Sequence, residues 1–122
     1  MPRRILIIDD SASLRQVVRI TLAGAGYEVV EAADGRQALA QLDGGGVHLA
    51  ICDVNMPVMD GIEFVREARK RDECRFMPII MLTTESRESR KREGQLAGAK
   101  AWVVKPFRPD QILNAVSKLM PA

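Results

Sequence analysis

Apolar residues along the chain fall into two patterns. Short blocks rich in β-branched residues stand at Ile5-Leu6-Ile7-Ile8, Tyr27 to Val30, Val47 to Cys52, Ile79 to Leu82 and Ala101 to Val104. Blocks of this length suit strands buried on both faces. Between them apolar residues recur at helical spacing: Leu14, Val17, Val18 and Leu22; Ala38, Leu39 and Leu42; Ile62, Val65 and Ala68; Ile112, Leu113, Val116, Leu119 and Met120. Ser13 with Gln16 reads as a capping box opening the first helix, which Gly24 and Gly26 end. Asp34-Gly35 marks a turn, and Gly44-Gly45-Gly46 stops the second helix. The third helix runs from about Gly61 to Arg71, and Pro109 suits the first turn of the last. The stretch from Ser86 to Leu96 has helix formers but almost no apolar face, and Gly94 weakens it by roughly 1 kcal/mol against Ala.

Five strands alternating with five helices predict an α/β fold with a doubly wound, five-stranded parallel sheet. A chain of 122 residues suits one domain, 1–122, with a core that needs no disulfide or structural metal. Lys and Arg number 18 against 16 Asp and Glu, a net charge of +2, which argues against direct DNA binding. Cys52, in an apolar block, reads as core, and Cys74, in a charged stretch, as exposed; two lone thiols suit a reducing cytosol. His48 reads as structural or exposed. Arg3 and Arg4 precede only four apolar residues, too few for a signal peptide or membrane insertion, so the expectation is a soluble, cytoplasmic protein.

In a sheet of this kind ligands bind outside the carboxyl ends of the strands. There the first strand delivers Asp9 and Asp10, the third Asp53, the fourth Thr83 and the fifth Lys105. Three clustered carboxylates repel one another, and a cation offsets that repulsion. Oxygen-only ligands point to Mg²⁺. Lys105 supplies a charge for a phosphoryl oxygen, and Thr83 a hydroxyl donor. These are the parts of an electrostatic clamp for phosphoryl transfer, with a carboxylate as nucleophile. Taken singly, each residue also reads as an ordinary strand-end or surface group. The Arg87, Arg90, Lys91 and Arg92 run, interleaved with Glu88 and Glu93, reads as a solvated helix face.

The runs IIDDS at 7–11, DVNMPVMDG at 53–61, MLTTES at 81–86 and AWVVKPF at 101–107 resemble the signature of response-regulator receiver domains, across the full chain. The spacing is most similar to stand-alone chemotaxis members of that family. The resemblance implies a flavodoxin-like, CheY-like (βα)5 fold with strand order 2-1-3-4-5. It implies a phosphoacceptor switch rather than an enzyme, with intrinsic autophosphorylation and autodephosphorylation, serving a two-component phosphorelay. Asp53 matches the phosphoacceptor. Asp10 matches the direct Mg²⁺ ligand and Asp9 the acid that supports the metal through water; Asn55 matches the residue whose backbone carbonyl ligates Mg²⁺. Thr83 and Lys105 match the switch hydroxyl and the phosphate-binding lysine. Asn55 and Glu85 match positions that tune dephosphorylation. Trp102 stands at the switch aromatic, more often Tyr or Phe, and also reads as a packing residue. The partners implied are a histidine kinase and a downstream protein, such as a flagellar motor switch, a relay component or a pilus-motility system, with the receiver itself monomeric.

Two other classes of protein fit these residues less well. An aspartyl-phosphate phosphatase usually carries its nucleophile in a DxD motif after the first strand, which adjacent Asp9-Asp10 does not supply. A flavodoxin-like FMN carrier needs a phosphate-cradling loop at that point and aromatics beside the flavin. Asp9 and Asp10 would repel the phosphate, and aromatics make up only 4% of the chain.

Overall fold

Alternation along each strand decides which layer a residue joins. The computed structural model describes residues 3–56, 58–84 and 88–120, with side chains for all of these except 88–91. In chain order it contains β1 (Arg4–Ile8), α1 (Ala12–Gly24), β2 (Glu28–Ala32), α2 (Gly35–Asp43), β3 (Leu49–Asp53), α3 (Gly61–Arg69), a 3₁₀ turn at Asp72–Cys74, β4 (Ile79–Thr83), α4 (Glu88–Ala97), β5 (Ala101–Val104) and α5 (Pro109–Leu119). The strands form one parallel sheet in the order β2-β1-β3-β4-β5. This is the doubly wound architecture and the strand order expected.

Side chains of a strand point alternately to opposite faces. Ile5, Ile7, Leu49, Ile51, Ile80 and Leu82 therefore share one face, where they meet Val18 and Leu22 of α1 and Ile112 and Val116 of α5. Leu6, Ile8, Ala50, Cys52, Ile79 and Met81 share the other, against Ala38 and Leu42 of α2 and Ile62, Phe64, Val65 and Ala68 of α3. Each buried Val, Leu, Ile, Met or Phe side chain among these contributes roughly 1.5–3 kcal/mol. The central strands β3 and β4 are buried at every position, which is why they read as unbroken apolar blocks.

Several local expectations are corrected. Ser11, not Ser13, caps α1: its hydroxyl accepts from the Leu14 amide. Asp34 is the cap of α2, which starts at Gly35, rather than a free-standing turn residue. Strand β2 runs two residues further than expected, β3 begins at Leu49 rather than Val47, and α3 ends at Arg69 rather than Arg71. Val17 is 52% exposed instead of facing the core. Cys74 is buried, because the 3₁₀ turn folds it under the end of α3. Arg69 fixes that turn, donating from Nη1 to the Cys74 carbonyl at 2.6 Å and from Nη2 to the Gly98 carbonyl at 2.6 Å. His48 is exposed and structural, its Nδ1 accepting from the Arg4 amide at 2.9 Å. Among the described residues no helix is long and apolar enough to cross a membrane.

Candidate phosphoryl-transfer site

Because the strands are parallel, their carboxyl ends meet at one edge. There the ligand oxygens of Asp9, Asp10 and Asp53 all lie within 4.8 Å of one another. Asp53 closes β3 and Asp9 follows β1, and both are buried; Asp10 is exposed. Lys105, just beyond β5, reaches back across the edge. Its Nζ donates to Asp9 Oδ2 at 3.1 Å and lies 3.4 Å from Asp53 Oδ1. The Lys105 amide donates to the Thr83 carbonyl at 2.7 Å, which ties the lysine to the end of β4. Thr83 itself is fully buried.

The loops that carry these groups are held locally. Asp9 Oδ1 accepts the Ser11 amide at 2.8 Å, and the Asp9 amide donates to the Ala32 carbonyl at 3.1 Å. Asp53 Oδ1 accepts the Asn55 amide at 3.4 Å. Asp60 caps α3 by accepting from the Glu63 amide at 2.9 Å, and the Gly61 amide donates to the Val54 carbonyl at 2.8 Å. The intervening loop turns at Val58, whose φ of 72° is a strained conformation for a β-branched residue.

One ammonium pairs with two of the three clustered carboxylates, Asp9 and Asp53. Burial raises the Asp53 carboxyl above its ordinary value, the negative charge of Asp9 raises it further, and Lys105 opposes both. Both Asp9 oxygens already accept hydrogen bonds, whereas the Asp10 carboxylate makes none among the described residues. Excess negative charge, oxygen-only donors and a carboxylate left open fit a hard divalent cation such as Mg²⁺. Asp9, Asp10 and Asp53 together form the acidic cluster that could hold it. Beside Lys105 opens a groove of about 580 Å³, walled by Leu14 and Val17 of α1 and by Pro106 and Phe107. Val17 is exposed because it lines this groove.

The profile of the response regulator receiver domain matches residues 5–117. The chain belongs to the response-regulator receiver family. Receivers are phosphoacceptor switches and generally not classical enzymes. Chemotaxis protein CheY1 of Helicobacter pylori is 37% identical over 113 residues, covering 91% of this chain and 90% of that protein. A probable transcriptional regulator, ycf27 of Porphyridium aerugineum, is 39% identical over 109 residues, but the match spans only 44% of its length. The structure of chemotaxis protein CheY4 of Vibrio cholerae superposes with a TM-score of 0.95 at 47% identity, covering 98% of this chain and all of that one.

In this receiver the fold gathers Asp9, Asp10, Asp53 and Lys105 at one point, with Asn55 and Thr83 on the adjoining backbone. Trp102 sits apart from them, half-buried on β5 and packed against the α2/α3 side of the core. Glu85 and Arg87, together with the side chains of Glu88, Arg90 and Lys91 in the basic run, lie outside the described residues. Three residues that matter to the local geometry were missed from the sequence. Gly61 passes beneath the Asp53 carbonyl, Gly94 faces the Trp102 ring, and Arg15 donates to the Asp9 carbonyl. Gly61 stood within a quoted motif and Gly94 was noted only as a helix weakness; Arg15 carried no signal, since its partners lie outside its own helix.

Proposed function

We propose that this receiver takes a phosphoryl group onto Asp53 from a phosphohistidine of a partner histidine kinase. An Asp53 carboxylate oxygen attacks phosphorus, the new P–O bond forms as the P–N bond breaks, and the imidazole leaves and takes up a proton. Mg²⁺, when bound, offsets the charge on the phosphoryl oxygens. Lys105 pairs with one of those oxygens, and the Thr83 hydroxyl donates to another. Hydrolysis of the acyl phosphate later resets Asp53, with Asn55 and Glu85 setting its rate. The observation that carries this reading is the Lys105 ammonium lying 3.1 Å from Asp9 and 3.4 Å from Asp53 within a cluster of three acids.

The apolar groove beside Lys105 supports docking of a protein donor next to Asp53. Output would pass through α4, β5 and α5 around Trp102, with phosphorylation shifting a pre-existing equilibrium. Similarity to chemotaxis proteins over nine-tenths of their length supports a motility target such as a flagellar motor switch, ahead of a relay or pilus-motility component. The setting proposed is a cytoplasmic monomer.

Incubation with acetyl phosphate and Mg²⁺ tests the reading. Intact-protein mass spectrometry should show one added phosphoryl group on the wild type, lost in EDTA and lost in Asp53→Asn. Labelling that persists in Asp53→Asn at the wild-type rate overturns the assignment. Rapid turnover of phosphomonoesters would favour a phosphatase instead.

A further inference from the structure

We infer that Arg15 is a positioning residue for the acid pair Asp9-Asp10, setting the direction in which these carboxylates meet a divalent cation. The inference rests on reading the cluster as a cation site, and concerns how that site is held. Arg15 lies in the first turns of α1 and its side chain is 17% exposed. Its Nη1 donates to the backbone carbonyl of Asp9. Its Nε donates to Glu31 Oε1 on β2 at 3.0 Å, and Arg19 Nη1 donates to Glu31 Oε2 at 2.6 Å.

The carbonyl that Arg15 holds belongs to the planar peptide that also contains the Asp10 nitrogen. Fixing that oxygen fixes the plane from which the Asp10 side chain departs. On the other side of the same residue, the Asp9 amide donates to the Ala32 carbonyl. Both backbone groups of Asp9 are thus tethered to β2: one directly through Ala32, the other through Arg15 and Glu31. The hydrogen bond from Arg19, then that from Arg15, hold Glu31 below the ordinary carboxylate value against the opposing effect of burial, so it is an anion at neutral pH and a firm anchor. Among the described residues the guanidinium donates to no carboxylate of the cluster. Its charge is taken up by Glu31, and what it gives the site is geometry.

Charge and geometry predict opposite signs. Removing a cation near an acidic cluster should by itself tighten divalent binding, whereas loosening the Asp9-Asp10 peptide should weaken it. The experiment is Mn²⁺ titration of the full chain, read from the electron paramagnetic resonance of the free ion, with thermal melts of each variant in EDTA. Arg15→Ala and Arg15→Lys should each weaken Mn²⁺ binding about tenfold, as loss of a group orienting a metal ligand does. Arg19→Ala, which removes a partner of the same Glu31 without touching Asp9, should leave the affinity unchanged. Wild-type or tighter binding in Arg15→Ala overturns the inference, and so does a lowered melting temperature without weaker binding. If Arg15→Ala fails to fold, Arg15→Lys decides, and wild-type affinity in it is disproof. A wild-type chain that takes up no Mn²⁺ overturns the cation site and this inference together. Wild-type uptake that is unchanged in both arginine variants overturns the inference alone.

Discussion

The ring of Trp102 lies directly over the bare Cα of Gly94: a Cβ at that position would sit 2.6 Å from the indole Cζ3. Gly94 is buried in the middle of α4, while Leu96 on the same helix is 81% exposed. The polar fourth helix is therefore seated on the sheet partly by an aromatic ring that fills the space a side chain would take. A glycine that costs roughly 1 kcal/mol in helix propensity makes room for the packing of a half-buried indole.

Gly94→Ala should accordingly destabilise the fold despite the better helix former, by about 1–3 kcal/mol, the usual range for overpacking. The displaced indole should emit at longer wavelength and be quenched more readily by acrylamide. A variant more stable than wild type with unchanged emission would show that the contact does not constrain the helix.

Much of this was readable in advance, and the reason differs between parts. Strands β3 and β4 were legible because both faces are covered, so every residue before the terminal Asp53 and Thr83 had to be apolar. The site was legible because parallel strands bring their carboxyl ends to one edge whatever the helices do. Helix details were less so. Ser11 and Ser13 both stand before an apolar stripe, and only the observed hydrogen bond to Leu14 separates them. Val17 fits the stripe by spacing, yet it faces the groove beside Lys105, since one face of α1 both packs on the sheet and borders the site. Cys74 sits among charges that all point outward while its own side chain turns in. Glycine positions set by a neighbour's bulk, and arginines whose partners lie on other elements, leave no periodic trace.

Lys105→Met should leave Asp9 and Asp53 facing each other without their ammonium. Asp9 is 1% exposed and Lys105 is 19% exposed, so the pair is poorly screened by solvent. Breaking such a pair costs about 3 kcal/mol. Urea unfolding in EDTA should show that loss, and saturating Mg²⁺ should recover part of it, because the cation takes over the missing charge. Equal stability of variant and wild type in EDTA would mean that the lysine does not offset the cluster.

The pH dependence of stability follows from Asp53. Burial, then the charge of Asp9, hold its carboxyl above the ordinary value near 3.8, with Lys105 only partly compensating. The folded state thus binds this proton more tightly than the unfolded chain. Ionised Asp53 is destabilising at neutral pH, and the penalty vanishes as pH falls through the folded value toward the unfolded one. Asp53→Asn should therefore melt higher than wild type at neutral pH in EDTA, and the gap should narrow in mild acid. Mg²⁺ should close it from the other direction by stabilising the wild type more than the variant. A gap that stays constant from neutral to acidic pH would contradict the stated origin of the shift.

Gly61→Ala tests how Asp53 is held from below. A Cβ on Gly61 would collide with the carbonyl oxygen of Asp53 and stand 2.9 Å from its carbonyl carbon and from the Met81 Cε. The methionine end can move, but the strand carbonyl cannot do so without carrying the Asp53 side chain with it. Gly61 is also pinned in place, since its amide donates to the Val54 carbonyl at 2.8 Å and Asp60 caps the helix it opens. The methyl group should cost about 3 kcal/mol, at the upper end for overpacking. Where the variant folds, labelling of Asp53 by acetyl phosphate should fall well below wild type, because the Asp53 carboxylate no longer points at Lys105. Wild-type stability together with wild-type labelling would show that the β3–α3 connection can yield there, and that Asp53 is aimed by its strand alone.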